Sequence, residues 1–302
     1  MKDCFVKRNK IFGVNILYLL SLLPVVIFAF YKNGILVFND GHFNFFLALQ
    51  YLIIPIIIVV LSYVFEIYYY MCVKKEENTY NVVNSIVPYI NLLCYLITGP
   101  MDKLYITIPL IVLLDIIMKF LDSKISVNRV ALFKCLLFGI LSLLSMYNNA
   151  NLSELAVTGE YSNFKLFLGM GVGEIATTST LFALVGYIIL LFNSYYKKDI
   201  PIACFIGYCL VGLLLYYSGV INFNQLLVNT FNSGFVFAIV FVASLSVATP
   251  VVRSGRIIYG LVVGSLSAIA INLLDFNMGV YFVILVLSLL TSLLNKFKLS
   301  ID

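Results

Sequence analysis

The sequence predicts an all-α membrane protein with about ten transmembrane helices in two inverted halves of five. The first observation is composition, because 62% of the 302 residues are hydrophobic and only 11% are charged. A water-soluble domain of this size does not carry so much apolar surface. The second observation is a series of apolar runs near bilayer length, and the third is a strong bias in where the basic residues fall.

Ten apolar segments approach the length of about 20 residues that a helix needs to cross the hydrocarbon core. Their approximate bounds are 11–31, 46–70, 82–98, 103–121, 131–147, 166–193, 200–220, 232–250, 256–274 and 278–295. The first is too long for the apolar core of a signal peptide, so we expect a retained helix. The intervening loops are short, which argues against a nucleotide-binding or other catalytic domain in this sequence.

The basic residues predict the orientation of these segments. If the N-terminus is cytoplasmic and the segments alternate, 16 of the 19 lysines and arginines fall on the inner side. The outer side receives only Lys32, Lys103 and Lys165. Because cytoplasmic loops are enriched in basic residues, this bias predicts ten spans with both termini inside. The net charge of +5 lies at helix ends, so no nucleic-acid partner is expected.

An odd number of segments in each half makes the two halves inverted relative to the membrane. We expect one membrane domain over residues 1–302, made of a first half at about 1–147, an outer loop at 148–165 and a second half at about 166–302. The third segment is bordered by Asn84-Ser85 and Gly99-Pro100, and the eighth by Asn232-Ser233 and Thr249-Pro250. These borders favour an inverted repeat with a site at the pseudo-twofold axis; chance similarity of two apolar runs is the alternative.

Ionisable residues are costly to bury in a bilayer, so each one is a functional candidate. Glu174 ends a stretch with glycine at every second position from Gly169 to Gly173, which permits a broken entry to the sixth segment. Its carboxylate is expected to hold a cation or a proton; the alternative is an acid favoured by a helix N-terminus. Asp115 lies deep in the fourth segment and needs a partner or a proton, with a structural bond between helices as the alternative.

No metal site is expected from the cysteines or the histidine. The six cysteines include no Cys-x-x-Cys pair, and most lie in apolar segments where they act as small hydrophobic residues. The single histidine, His42, lies in an expected outer loop, where a surface role is commoner than metal ligation.

Two stretches resemble the RnfD/NqrB family. The run from Phe241 to Pro250, followed by a Gly-Arg-x-x-Tyr-Gly run starting at Gly255, is similar to the family's Phe-Met-Ala-Thr-Asp-Pro and the helix start behind it. Here Ser244-Leu245 replaces the Thr-Asp pair. Gly173-Glu174, followed after three inserted residues by Thr178-Ser179, is similar to the family's Gly-Glu-Thr-Ser.

The resemblance implies an integral membrane subunit of an electron-transport complex in the bacterial inner membrane. Such a subunit would hold FMN or riboflavin and couple electron transfer to the movement of Na⁺ or H⁺. The implied partners are other membrane subunits, an NADH- or ferredoxin-oxidising subunit and membrane lipid. Glu174 and Asp115 are the ion or proton candidates. The flavin candidates are Thr158, Ser162, Gly173, Thr178, Ser179, Thr249, Gly255 and Arg256.

The family's covalent flavin motif is altered in this chain. Family members attach FMN to a threonine in a Ser-Gly-Ala-Thr motif, whereas this sequence reads Thr158-Gly159-Glu160-Tyr161-Ser162 at that place. The alignment puts a tyrosine at the acceptor position. We therefore expect any flavin to be held non-covalently or at an atypical hydroxyl, namely that of Thr158 or Ser162.

A different class of function remains the alternative. The family's two-half fold is similar to that of urea channels, and a fold does not determine a function. The chain is then a channel or secondary transporter for a small solute or cation. Its path would be lined near Gly173, Glu174, Thr178, Thr249 and Asp115. A scaffold subunit without a cofactor is the third possibility.

Overall fold

The computed structural model describes residues 2–41, 44–73, 85–99, 104–120, 127–144, 162–171, 173–291 and 295. Every regular element in these ranges is helical, as the all-α prediction requires. The helices are α1 (Lys2–Phe30), α2 (Phe45–Tyr68), α3 (Val87–Leu96), α4 (Leu104–Phe120), α5 (Arg129–Leu143), α6 (Asn163–Leu168), α7 (Thr180–Leu191), α8 (Asp199–Tyr217), α9 (Phe223–Asn232), α10 (Phe235–Ala243), α11 (Arg253–Leu273) and α12 (Gly279–Leu289).

Within the described ranges, four helical stretches are long and apolar enough to cross a membrane, namely Asn15–Asn39, Phe45–Val73, Asp199–Tyr217 and Arg253–Leu273. A fifth results if the bent pair α9 and α10 is one span. The apolar helices α3, α7 and α12 have only 10, 12 and 11 residues. Helices of that length rise about 15–18 Å, roughly half of a bilayer core. The count of ten spans therefore stays a prediction.

The first helix continues beyond its predicted end. A π-helical segment, Tyr31–Leu36, prolongs α1 and leads into a short turn that ends at Asn39. A methyl group on Gly34 would lie 2.8 Å from the carbonyl oxygen of Ala48, so a glycine is needed where this segment passes the start of α2. Lys32, which we expected beyond the first span on the outer side, therefore lies inside a helix and is partly buried.

The predicted sixth segment, 166–193, is broken. The helix α6 ends at Gly169, which has a φ of +105° that only glycine adopts readily. An irregular stretch follows, and α7 begins at Thr180. The hydroxyl oxygen of Ser179 accepts a hydrogen bond from the N–H of Phe182 over 3.3 Å and so caps α7. The glycines thus produce the broken entry to the sixth segment that the sequence permits.

The predicted eighth segment, 232–250, is also broken. The helices α9 and α10 meet at a bend of 51°. Gly234 lies at the bend with a φ of +73°. All nine residues of α10 are buried, and irregular chain with one short 3₁₀ turn leads from its end to Pro250. This stretch is therefore an interior wall and not a straight helix facing lipid.

The closest helix pair is α8 and α11. Methyl groups on Gly260 and Gly207 would lie 2.6 Å from Ala203 Cβ and 2.5 Å from the carbonyl oxygen of Leu261, respectively. A methyl group on Gly264 would overlap the carbonyl oxygen of Cys204. Small residues let two membrane helices approach at backbone distance, and the close contact fixes the positions of α8 and α11 relative to each other.

Candidate functional site

Glu174 lies where the irregular segment 170–179 docks onto the C-terminal end of α3. The N–H of Ile175 donates to the carbonyl oxygen of Thr98 over 2.9 Å, and the N–H of Ala176 donates to that of Leu96 over 3.2 Å. The last carbonyls of a helix lack partners within it, so the segment satisfies the end of α3. A carboxylate at the negative end of a helix needs a nearby cation.

Lys134 on α5 supplies that cation. Its Nζ lies 2.5 Å from Oε1 of Glu174 and donates to the carbonyl oxygen of Ile97 over 2.5 Å. The hydroxyl of Tyr281 donates to Oε2 of Glu174 over 3.5 Å. The two charged side chains are 4% and 15% exposed, with the lysine the more buried. Removing one partner of a buried ion pair is costly because the other charge remains uncompensated.

Lys134 was not among the site residues expected from the sequence, although a usable signal was present. It lies inside the predicted segment 131–147, and an ionisable residue inside a span is a functional candidate by the same argument that selected Asp115. The basic-residue bias assigns Lys134 to the inner side, as one of 16 lysines and arginines there.

Asp115 belongs to a different charged cluster. Its Oδ2 lies 3.4 Å from Nζ of Lys119, and its Oδ1 lies 3.4 Å from Nη1 of Arg129. The same lysine Nζ lies 2.6 Å from Oε1 of Glu66. Two acids and two bases therefore meet, and Asp115 has the partners that its burial requires. Arg129 and Lys134 are five residues apart on α5, a rise of about 7.5 Å, so one helix connects the two clusters.

A second lysine holds the break between α6 and α7. The Nζ of Lys32 donates to the carbonyl oxygen of Gly171 over 2.5 Å and to Oγ1 of Thr178 over 2.8 Å. The hydroxyl of Thr178 in turn donates to the carbonyl oxygen of Gly169 over 3.1 Å. No signal in the local sequence indicated this role, because the lysine and its first partner are 139 residues apart.

A third lysine holds the break after α10. Lys197, in the loop between α7 and α8, donates to Oγ1 of Thr249 over 2.6 Å and to its carbonyl oxygen over 3.1 Å. It also donates to the carbonyl oxygens of Ser246 and Pro250 over 3.3 and 3.2 Å. Burial, with a smaller contribution from the nearby Arg256 charge, lowers the pKa of Lys197 to about 8.

The flavin candidates fall into separate places. Three of them, Gly173, Thr178 and Ser179, lie at the break before α7. Three others, Thr249, Gly255 and Arg256, lie between the break after α10 and the first turn of α11. Ser162 caps the start of α6, where its hydroxyl oxygen accepts from the N–H of Lys165 over 3.4 Å. Thr158 lies outside the described residues.

Several polar groups of these candidates are engaged within the protein, whereas the buried Nε of Arg256 has no hydrogen-bond partner among the described residues. The hydroxyl of Ser179 donates to the carbonyl oxygen of Leu168 over 2.9 Å, and that of Thr249 accepts from Lys197. Nη2 of Arg256 lies 3.4 Å from Oδ2 of Asp199. A methyl group on Gly173 would lie 2.6 Å from Cγ2 of Thr178, so that glycine serves close packing and leaves no open cradle. A flavin site formed by these candidates stays a prediction.

A comparison with known protein families finds a match that covers most of the predicted second half of the chain. A model of the NQR2, RnfD, RnfE family matches residues 140–300. The matched region contains Glu174 and the breaks before α7 and after α10, whereas Asp115 and Lys134 precede it. No individual characterised protein matches the chain.

Proposed function

Because this chain belongs to the NQR2, RnfD, RnfE family, we propose that it couples electron transfer to ion movement through the ion pair of Glu174 and Lys134. The family consists of membrane subunits of multi-subunit Rnf and Nqr complexes, so partner subunits in the membrane are expected. The apolar helices fit that setting. Translocation of Na⁺ or H⁺ by this chain is the part that we propose.

One observation carries it: the 2.5 Å contact between the Glu174 carboxylate and the Lys134 ammonium at the end of α3. Ionisable groups inside a membrane protein are costly and commonly mark ion or proton pathways. Three kinds of group converge here, namely a carboxylate, an ammonium and the carbonyl oxygen of Ile97. If the ammonium moves away, the carboxylate and carbonyl form a site for a small cation or for a proton.

The charge balance explains how electron transfer would act on this pair. An electron that arrives elsewhere in the complex lowers the local potential and favours uptake of a positive charge. An ion pair with no net charge can compensate the negative charge of the electron by accepting a proton or a cation at the carboxylate. Glu174 is the partner with greater exposure, 15% against 4% for Lys134, so it is the group that the ion reaches first.

We propose that any flavin bound to this chain is held non-covalently. The supporting observations are the altered loop sequence after Thr158 and the engagement of Ser162 as a helix cap. When bound, a flavin supplies the electron transfer chemistry. The residues described above account for the ion pair and the breaks, and none of their proposed roles depends on where a flavin sits.

We also propose the ten-span arrangement with two inverted halves, in a bacterial inner membrane with both termini cytoplasmic. Two observations support it. The third predicted segment corresponds to α3 and the eighth to α10, and both are short and buried over their whole length. Unusually short or interrupted apolar segments at corresponding positions of two halves are typical of inverted-repeat transporters. The bias of the basic residues supports the orientation.

The broken helices also suit the alternative of a channel or secondary transporter. The positions of three lysines favour the redox-coupled proposal over an open path. The ammonium groups of Lys32, Lys134 and Lys197 each contact backbone carbonyl oxygens, at the break before α7, at the C-terminal end of α3 and at the break after α10. These are the oxygens that a permeating cation or polar solute would use. A path through them opens only if a lysine moves, which a coupled mechanism provides and a simple channel does not.

The test uses the intact complex in proteoliposomes, with ion uptake and electron transfer measured together. The single variant Glu174→Gln would leave the buried Lys134 charge without its partner. The double variant Glu174→Gln with Lys134→Gln removes both charges of the pair, so it is the form to be tested. We expect the double variant to assemble and to move fewer ions per electron than the wild type by at least tenfold. An unchanged ratio of ions to electrons would reject the proposal. Ion flux at the wild-type rate without any electron donor would favour the channel instead.

A further inference from the structure

An apolar groove of about 390 Å³ lies on the side of the protein, away from the ion pair. Its walls are formed by α7 and the first turns of α8, and its floor by the bent pair α9 and α10; the lining includes Leu184, Tyr187, Ile202, Phe205, Phe231 and Val240. Leu184, Ile202 and Phe205 are 40%, 52% and 45% exposed, so the groove opens sideways. In a membrane protein that side faces lipid.

The groove extends over about two-thirds of the depth of one leaflet. Along α7 it extends from Thr180 to Tyr187, a rise of about 10 Å. Half of a bilayer core is about 15 Å thick. Four residues beyond Tyr187, α7 ends at Leu191 and the chain enters the loop that contains Lys198. The groove therefore ends about one helical turn from a loop at the polar surface.

Basic groups surround that end of the groove. Residues 193–199 and 252–256 contain four basic side chains and one acidic side chain, Asp199, which gives a net charge of +3. Lys198 is exposed, and its ammonium makes no ion pair with any described residue. Arg253 is 57% exposed, and its Nε lies 3.9 Å from the Asp199 carboxylate. The hydroxyl of Tyr187 donates to the carbonyl oxygen of Lys198 over 3.5 Å, so the basic loop is attached to the groove wall.

We propose that this groove binds one anionic phospholipid, with an acyl chain between α7 and α8 and the phosphate beside Lys198 and Arg253. The proposal is independent of the ion-coupling role and extends beyond it. Apolar walls open to lipid select a hydrocarbon chain, and a net positive rim selects a negative headgroup. A zwitterionic lipid can place its acyl chain in the groove, but its headgroup has no net charge and gains little from the basic rim. A detached anion satisfies the rim but leaves the groove empty.

The experiment counts bound lipid on the full-length chain by native mass spectrometry. Delipidated protein is mixed with phosphatidylglycerol or phosphatidylcholine that have identical acyl chains. We expect one phosphatidylglycerol to be retained per chain at concentrations where phosphatidylcholine is lost. Lys198→Gln combined with Arg253→Gln should weaken phosphatidylglycerol binding about tenfold or more. Lys165→Gln, at an exposed lysine of α6, removes a positive charge outside the rim and should leave binding unchanged.

A second pair of variants tests the groove itself. Leu184→Trp fills it from the α7 wall, and Leu214→Trp places the same bulk on an exposed position of α8 outside it. We expect only the first to release the lipid; Ile202→Trp fills the groove from the other wall if the first fails to fold. Equal retention of the two lipids would overturn the proposal. So would normal retention in the filled groove, or release by Lys165→Gln in place of the Lys198 and Arg253 pair.

Discussion

The Nζ atom of Lys197 lies 2.6 Å from the hydroxyl oxygen of Thr249, a residue 52 positions later in the chain. The same ammonium reaches three backbone carbonyl oxygens around the break after α10. A lysine thereby replaces the hydrogen bonds that the interrupted helix does not make. Lys32 acts in the same way at the break before α7, and Lys134 does so at the C-terminal end of α3. Interrupted backbone in a membrane protein requires such partners.

Lys197 predicts a specific dependence of stability on pH. Its pKa in the folded protein is about 8, below the ordinary value of 10.5. Below pH 8 the group is protonated in both states. Between pH 8 and 10.5 the unfolded chain binds the proton and the folded chain does not, so folding stability rises with pH in that window. The melting temperature of the wild type should therefore rise relative to that of Lys197→Gln as the pH increases from 8 to 10.

The matched control for this measurement is Lys198→Gln, which removes the exposed neighbouring lysine. Its melting temperature should follow that of the wild type at every pH. A flat difference between the wild type and Lys197→Gln would show that the ammonium keeps its ordinary pKa, and a falling one would show that its pKa is raised; either result contradicts this prediction.

Gly264→Ala should separate α8 from α11. The added methyl group would overlap the carbonyl oxygen of Cys204, and neither backbone can yield without moving a helix. We expect a loss of about 3 kcal/mol in the free energy of unfolding, near the upper end for overpacking. Gly139→Ala is the control, since nothing lies within 4 Å of its methyl group. In the middle of α5 it should stabilise by about 0.5–1 kcal/mol. The stabilities of the two variants are compared by thermal unfolding in detergent. Equal stabilities would show that the close contact between α8 and α11 is not maintained.

A denaturing gel tests how any flavin is attached. Glu160 and Tyr161 place charge and bulk where the family's acceptor motif has a small turn, and a carboxylate repels an incoming phosphate. We expect no fluorescent band at the position of this chain under ultraviolet light, in the wild type or in Ser162→Ala. A fluorescent band that disappears in Thr158→Ala would show covalent attachment at that residue.

Labelling of single cysteines tests the ten-span arrangement. Glu76 and Ala156, both outside the described residues, lie in loops that the basic bias assigns to opposite sides. In a background without other cysteines, Glu76→Cys should react with an impermeant reagent only from the cytoplasmic side and Ala156→Cys only from the outer side. Reaction of both from one side would remove the basis for ten spans and for inverted halves.

Helices made of uninterrupted apolar sequence could be predicted closely. The predicted segment 46–70 agrees with Phe45–Tyr68, and 200–220 agrees with Asp199–Tyr217. Hydropathy alone determines such helices, since no local signal competes with it. The breaks were harder to locate. Gly169 indicated the one before α7, whereas the bend at Gly234 follows Asn232 and Ser233, which were predicted as the border of the eighth segment and not as a bend.

The charged partners could be predicted only in part. Burial of Asp115 and Glu174 in apolar sequence indicated that each needs a partner, and the structure provides one for each. The identity of that partner depends on how distant segments pack. Lys134 is 40 residues from Glu174 along the chain, and nothing in either local sequence specifies the pairing. Lys32 shows the same limit, because its long apolar stem allowed a position in a loop as readily as one inside a helix.

Infrared difference spectroscopy on the intact complex tests most directly whether Glu174 takes part in coupling. Spectra of the oxidised and reduced complex are compared in the wild type and in the double variant Glu174→Gln with Lys134→Gln. If the carboxylate gains a proton or a cation on reduction, the wild type shows a carboxyl or carboxylate band that changes with redox state and is absent from the double variant. Identical difference spectra for the two proteins would show that Glu174 does not change its partner during electron transfer, and would contradict the proposed coupling.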